Sequence, residues 1–326
     1  MINLSIIIPV YNDSKNLFRL LHTIPPREDV EVLVIDDNST EQLDVLEDVK
    51  KFVQETFKCS EFLKNDRGIQ SAGTCRNIGV DNAHGKWLMF ADSDDYFVEG
   101  WFEIVQNHFD SEDELIYFKV TSVDEFTNKP SYRHVLYNNT VSDYLRKPKV
   151  LYYEMQLRFK CNGPCGKMVK REVVKRNEIS FDQVIASNDE MFSTKCGFYS
   201  KNMSAYDDVI YCVTSRPGSL IMNVSEERFW VRLEVFIRKY NFLKEHLSRK
   251  EFINVDLSSQ EKLITLKQNG YSKSFSNKVK SELKKNGIGF ITPKTFSMNI
   301  LIQKIRLFLW FIKRRKLQKE VEMQKE

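Results

Sequence analysis

Residues 4–13 read Leu-Ser-Ile-Ile-Ile-Pro-Val-Tyr-Asn-Asp, a run of branched apolar residues that ends in polar ones. A continuous apolar run of this length is typical of a parallel strand that is buried on both faces. Two further runs have the same form, since Val30–Ile35 leads into Asp36-Asp37-Asn38-Ser39 and Lys86–Ala91 leads into Asp92-Ser93-Asp94-Asp95. Segments of helical periodicity separate these strands, which predicts an α/β fold with a mainly parallel sheet flanked by helices.

The composition is that of an ordinary globular protein, with 42% hydrophobic and 29% charged residues among 326. The six cysteines are scattered and include no Cys-x-x-Cys pair, so we expect them to be small buried residues rather than metal ligands. We find no secretory signal and no apolar run of about eighteen residues, the length that a spanning helix needs. The sequence therefore predicts a reduced, cytoplasmic protein.

The pattern divides the chain into three regions. Residues 1–120 alternate strand and helix signals, and residues 121–225 mix both signals and are expected to pack on the first region within one domain. Residues 226–326 are helical by periodicity and form a C-terminal extension.

The basic charge is concentrated at the end of this extension. The whole chain has a net charge of +4, while residues 294–326 alone carry nine basic side chains against three acidic ones. The apolar stretch 298–312 leads directly into Lys313-Arg314-Arg315-Lys316, a composition that favours an interfacial helix on an anionic membrane surface. The alternative is a packed C-terminal helix or a dimer contact. Because the rest of the chain is slightly acidic, binding to nucleic acid is not predicted.

The acidic residues follow the predicted strands, at the point where each strand ends. The carboxyl ends of parallel strands meet at one edge of a sheet, where open α/β folds bind their ligands. Six carboxylates gathered there would repel one another unless a cation or hydrogen-bond donors compensate. Carboxylate oxygens suit Mg²⁺ or Mn²⁺, which often bridge to a substrate diphosphate. These six residues are Asp13, Asp36, Asp37, Asp92, Asp94 and Asp95.

Four motifs in register resemble those of glycosyltransferase family 2. They are Ser5–Asn12, Val34–Thr40, Cys75-Arg76-Asn77-Ile78-Gly79 and Phe90–Asp95. The resemblance implies an A-type glycosyltransferase fold, in which residues 1–120 bind a nucleotide sugar and residues 121–225 bind the acceptor. It also implies inverting transfer with a divalent metal, Mn²⁺ or Mg²⁺.

The resemblance further implies roles for individual residues. Asp92 and Asp94 would hold the metal, and Tyr11 would stack on the base of the donor. Arg216 would reach the diphosphate from a lid. The full set of implied donor-binding residues is Pro9, Tyr11, Asp13, Asp37, Arg76, Asp92, Ser93 and Arg216.

Inverting transfer needs a general base on the acceptor side. Family members carry it in a segment that is similar to Asn188-Asp189-Glu190-Met191-Phe192, which implies Asp189 as the base. Here Asn188 stands where the family often has Glu, so Glu190 remains a second candidate.

The sequence as a whole predicts a glycosyltransferase that moves a sugar from a nucleoside diphosphate, with uridine diphosphate implied by family habit. The acceptor would be a glycan or a lipid-linked molecule in surface polysaccharide synthesis, at the inner face of the plasma membrane. A nucleotidyltransferase and a non-catalytic nucleotide-sugar-binding protein are the alternatives. A dinucleotide-binding dehydrogenase is disfavoured, because no Gly-x-Gly-x-x-Gly follows the first strand.

Overall fold

The structure is a computed structural model that describes residues 1–215 and 225–294. The predicted donor-binding residue Arg216 and the predicted amphipathic tail helix lie outside the described residues. Among the residues described, no helix is both long enough and apolar enough to cross a bilayer.

The centre of the fold is one mixed sheet of eight strands within the described part of the chain. The strands are β1 (Leu4–Val10), β2 (Val30–Asp36), β3 (Cys59–Lys64), β4 (Trp87–Phe90), β5 (Tyr96–Phe97), β6 (Leu115–Asp124), β7 (Lys167–Lys170) and β8 (Met203–Ser215). Their order is β3-β2-β1-β4-β7-β6-β8-β5. The first four are parallel neighbours, as predicted, whereas β7 runs antiparallel to β4 and β6, and β5 runs antiparallel to β8. The predicted α/β fold is confirmed, with antiparallel pairs in its second half.

Helices cover both faces of the sheet and form the C-terminal region. They are α1 (Ser14–Leu21), α2 (Leu43–Thr56), α3 (Ala72–Asn82), α4 (Trp101–Gln106), α5 (Val135–Arg146), α6 (Leu151–Lys160), α7 (Arg171–Arg176), α8 (Glu190–Tyr199), α9 (Glu226–His246), α10 (Arg249–Val255), α11 (Gln260–Gln268) and α12 (Lys273–Lys285). Ser71 caps α3 by accepting a hydrogen bond from the Thr74 amide, and Ser225 caps α9 in the same way through Arg228.

The alternation of side chains along β1 places two cores on opposite faces of the sheet. Ile6 and Ile8 pack with residues of α1 and α2 on one face. Ile7 packs with residues of α3, α7 and α8 on the other. Every residue of β1 is buried, which explains why its sequence is apolar apart from Ser5.

The close approach of α3 to the sheet depends on Gly79. A Cβ atom at this position would lie 2.4 Å from Cγ2 of Ile7 and 3.0 Å from Cδ1 of Ile35. Both isoleucines are fully buried, so neither can move aside without disturbing the packed core. The glycine therefore fixes how far α3 lies from β1 and β2.

We predict that Gly79→Ala lowers the free energy of unfolding by about 1–3 kcal/mol, because the added methyl overpacks the core. Chemical denaturation of the two proteins measures the difference. Gly163→Ala is the control, since a Cβ there meets no atom within 4 Å, and we expect its effect to stay within about 0.5 kcal/mol. Equal stability of the Gly79→Ala variant and the unaltered chain would contradict the packing argument.

Candidate active site

The loops that follow β1 and β2 are locked to each other at the edge of the sheet. Asn12 takes a left-handed backbone conformation with φ of 51°, and its Oδ1 accepts hydrogen bonds from the amides of Thr40 at 2.8 Å and Glu41 at 3.0 Å. Its own amide donates to Oγ of Ser39 at 2.9 Å. The neighbouring Tyr11 is 48% exposed at the rim, where a planar ligand can stack on its ring.

Asp37 lies at the base of this edge and is buried. Its amide donates to the carbonyl of Val10 at 2.8 Å, and its Oδ1 accepts a hydrogen bond from Nδ2 of Asn65 at 2.6 Å. Burial raises the pKa of the Asp37 carboxyl, while the Asn65 hydrogen bond opposes that rise. The residue thus offers a fixed polar group in a partly dehydrated place, as recognition of a base edge requires.

Asp13 and Ser93 come from different strand ends and lie together. Oγ of Ser93 donates to Oδ2 of Asp13 at 3.5 Å, and Oδ1 of Asp13 accepts from Nδ2 of Asn16 at 2.8 Å. Asp13 is buried and occupies the N-cap position of α1 without capping it through its side chain. Pro9 lies within β1, and Asp36 accepts a bond from the amide of Ser39 at 3.1 Å.

Arg76 on α3 links the two sides of the site. Its Nη2 is paired with Oδ1 of Asp92 after β4, and its Nη1 donates to Oδ1 of Asn188 at 2.9 Å. The guanidinium carbon also lies 5.4 Å from the centre of the Phe181 ring. Burial opposes the charge of Arg76, but the nearby Asp92 raises its pKa, so the guanidinium stays protonated.

The turn that contains Asp92 and Asp95 is held by three hydrogen bonds from two neighbouring elements. The Asp92 amide donates to the hydroxyl of Tyr211 at 2.9 Å, and Oδ1 of Asp95 accepts from the amide of Thr214 at 2.7 Å. Arg19 of α1 donates to the carbonyl of Asp94 at 2.6 Å. These contacts come from α1 and β8, so the turn is rigidly placed.

A divalent cation fits this turn. Asp92, Asp95 and Cys165 offer ligand atoms within 4.8 Å of one another, whereas the sequence-based pair was Asp92 and Asp94. Burial and the neighbouring Asp94 and Asp92 raise the pKa of Asp95 well above its ordinary value, a repulsion that a cation would relieve. Mg²⁺ and Mn²⁺ prefer carboxylate oxygens to the soft sulfur of a thiol, so the two carboxylates are the better ligands of this group.

The two candidate bases lie in different surroundings. Asp189 is the N-cap residue of α8, makes no side-chain capping hydrogen bond and is partly exposed. Burial raises the pKa of its carboxyl, and the charge of Arg76 opposes that rise. Glu190 is buried instead, and its Oε1 pairs with Nζ of Lys239 at 3.2 Å. Burial by itself would raise the pKa of Glu190. The positive charge of Lys239 outweighs that effect and lowers the pKa below its ordinary value, so this carboxyl stays ionised.

Sequence reasoning missed the residues that hold the segment around Asp189. Asn77 donates from Nδ2 to the carbonyl of Phe181 at 2.9 Å and accepts from the Phe181 amide at 2.8 Å. A Cβ on Gly73 would lie 2.2 Å from the carbonyl oxygen of Asp182. Asn77 follows Arg76 in the motif Cys75–Gly79, so its position in the sequence could have indicated that it belongs to the site. Lys239 stands in no motif.

We predict that Arg76→Met destabilises the protein by about 2 kcal/mol, between the costs of breaking exposed and buried ion pairs, because Asp92 keeps partial access to water. Denaturant unfolding measures the loss. Arg67→Met removes the exposed pair with Asp81 and serves as the control, for which we expect less than about 1 kcal/mol. If both variants lost the same free energy of unfolding, Arg76 would stabilise the fold no more than an exposed ion pair does.

Comparison with known proteins bears on the family and the fold of the chain. A model described as Glycosyl transferase family 2 matches residues 5–177. TarS, the poly(ribitol-phosphate) beta-N-acetylglucosaminyltransferase of Staphylococcus aureus, is 26% identical over 240 residues, which cover 71% of this chain and 39% of TarS. The poly(ribitol-phosphate) beta-glucosyltransferase of Bacillus spizizenii is 27% identical over 249 residues, which cover 72% of this chain and 36% of the relative. The chain thus spans less than half the length of these two relatives.

Solved structures share the fold. The crystal structure of S. aureus TarS 1–349 in complex with UDP-GlcNAc superposes with a TM-score of 0.59 at 23% identity, covering 87% of this chain and 78% of that one. The mannosyltransferase PcManGT from Pyrobaculum calidifontis, in complex with GDP-Man and Mn²⁺, superposes with a TM-score of 0.55 at 13% identity, covering 86% and 79%. The expected A-type fold is confirmed by these likenesses. With the family model covering more than half of its length, the chain belongs to glycosyl transferase family 2.

Proposed function

We propose that this protein transfers a sugar, with inversion, from a uridine diphosphate sugar to a hydroxyl group of a bacterial surface-glycan acceptor. The observation that carries the proposal is the bridge made by Arg76, which ties the Asp92 turn to the segment of Asp189. Family membership supports the reaction class, and the UDP-GlcNAc held by the TarS structure supports the nucleotide. The names of both relatives support an acceptor of the poly(ribitol-phosphate) kind.

On the donor side, each group has a distinct task. The exposed Tyr11 ring stacks on the base, and Asp37 with its Asn65 partner accepts from the base edge. Asp13, Ser93 and Arg216 complete the proposed pocket. A divalent ion held by Asp92 together with Asp95 or Asp94 would neutralise charge that develops on the diphosphate leaving group. Arg76 keeps Asp92 ionised and oriented for that task.

On the acceptor side, Asp189 takes the proton from the attacking hydroxyl. A base must be ionised and within reach of the proton that it accepts. The Asp189 carboxyl is free of a capping bond to α8, and the cation of Arg76 favours its ionised form. Glu190 is engaged with Lys239 inside the protein, which leaves Asp189 as the base.

The site of action that we propose is the inner face of the plasma membrane. A lipid-linked acceptor would be presented there, and the basic, apolar composition of residues 294–326 supports adsorption to anionic lipid. The preferred metal, Mn²⁺ or Mg²⁺, is decided by the assay below.

We predict that one nucleotide sugar in a panel is consumed, with release of nucleoside diphosphate that depends on Mn²⁺ or Mg²⁺ and is lost with a chelator.

Asp189→Asn should lower kcat about 10²- to 10⁴-fold while calorimetry shows unchanged nucleotide binding, because only proton transfer is removed. Asp182→Asn, in the same segment but paired with Arg238, is the matched control and should retain activity. Metal-dependent nucleotide binding without turnover would favour the binding-protein alternative, and full activity of Asp189→Asn would favour a nucleotidyltransferase.

We predict that kcat/KM rises with pH above the usual aspartate range, because burial raises the pKa of Asp189 and the base works only when it has lost its proton. Arg76→Gln removes the cation that favours ionisation, so the acid limb should move to higher pH. Arg76→Lys keeps the charge and should leave the limb near its original position. An acid limb that stays in place in Arg76→Gln would rule out this electrostatic coupling.

A further inference from the structure

Residues 181–189, which carry the proposed base, form neither helix nor strand. Ser187 within this segment has a left-handed backbone, with φ of 56°. Asp189 therefore depends for its placement on the elements that contact the segment from each side. On one side stands α3, through the contacts of Gly73, Arg76 and Asn77 described above.

On the other side stands α9, from the C-terminal region. Arg228 donates to the carbonyl of Ile185 at 3.3 Å. Arg238 makes a two-pronged pair with Asp182, at 3.0 and 2.8 Å. Next to it, Lys239 pairs with Glu190, the residue that follows Asp189. These contacts lie along one helix that no motif of the donor site includes.

Lys239 differs from the two arginines because it is only 1% exposed. Its Nζ donates to Oδ1 of Asn162 at 2.8 Å and lies 3.2 Å from Oε1 of Glu190. A buried ammonium group is stable only where acceptors compensate for the lost water. The side chain therefore holds the first turn of α8 against the loop that precedes Gly163 and Pro164.

Two further contacts make this junction rigid. Oγ of Ser193, one turn along α8, donates to the carbonyl of Asn162. The buried Nζ of Lys167 lies 3.2 Å from the same Ser193 oxygen. Asn162, Glu190 and Ser193 are thus joined by a continuous polar network, and Lys239 supplies its only contact from α9 among the bonds described.

We propose that Lys239 is a positioning residue for sugar transfer: it ties Glu190 to Asn162 and so places Asp189 at the acceptor side of the site. The inference rests on the proposed function and adds to it a contribution from the C-terminal helices. Lys239 touches neither donor nor acceptor in this scheme, and it acts only through the first turn of α8. Misplacing a base by about 1 Å lowers the rate about 10²-fold without touching donor contacts.

A double-mutant cycle of Lys239→Met and Asp189→Asn tests this inference. We expect Lys239→Met to lower kcat about tenfold or more and to change the KM for the sugar donor less than about twofold. In the Asp189→Asn background the same substitution should cause no further loss, because the group through which Lys239 acts is gone. Arg238→Met, at the neighbouring and exposed position, is the control, with an expected change below about threefold.

Unchanged kcat in Lys239→Met, or equal fractional losses with and without Asp189, would overturn the inference. Should Lys239→Met fail to fold, the double variant Lys239→Met/Glu190→Gln replaces it in the cycle, since it leaves no unpaired buried charge. If the unaltered protein transfers no sugar, the proposed function fails by itself. Hydrogen exchange of amides 182–193 then decides: faster exchange in Lys239→Met than in Arg238→Met supports positioning, and equal exchange contradicts it.

Discussion

The buried guanidinium of Arg76 is the interaction on which the site depends. It lies near the carboxylates of Asp92 and Asp189, and it joins Asp92, which follows β4, to Asn188, which precedes α8. These two acceptors are far apart in sequence and belong to different segments of the chain. A buried cation has to keep its acceptors in place, because losing one would leave a charge without compensation. One side chain therefore links the turn after β4 to the segment that precedes α8.

Helix α3 positions Arg76 through residues that each face a different partner. Gly79 lets the helix lie close to Ile7 and Ile35, and Gly73 lets the backbone near Asp182 approach the helix. Asn77 pairs with both backbone groups of Phe181. Gly73, Arg76 and Asn77 are spaced i, i+3 and i+4 and so share the face that contacts residues 181–188, whereas Gly79 is turned toward the sheet. This explains why Arg76 occurs in a run that combines small, charged and amide side chains.

Burial and charge act against each other throughout the site. Burial raises the pKa values of Asp37, Asp95 and Asp189, while hydrogen bonds and the Arg76 cation favour their ionised forms to different extents. Carboxyl groups that are close together can therefore serve different purposes: a polar anchor, a cation ligand and a proton acceptor. At the far side, Lys239 keeps Glu190 ionised and turned inward, which separates it chemically from its neighbour Asp189.

The sequence by itself determined the α/β fold, the first parallel strands and the gathering of acidic residues at one edge of the sheet. These features follow from local periodicity and from the direction of parallel strands, both of which can be read along the chain. Only the tertiary structure decided that the sheet becomes mixed after β4, that Asp95 and Cys165 lie close enough to Asp92 to form a candidate ligand group, and that Glu190 turns away to Lys239. Those outcomes depend on contacts between residues about 50 to more than 100 positions apart, as between Arg76 and Asn188 or Lys239 and Glu190, and such contacts leave no periodic signal in the sequence.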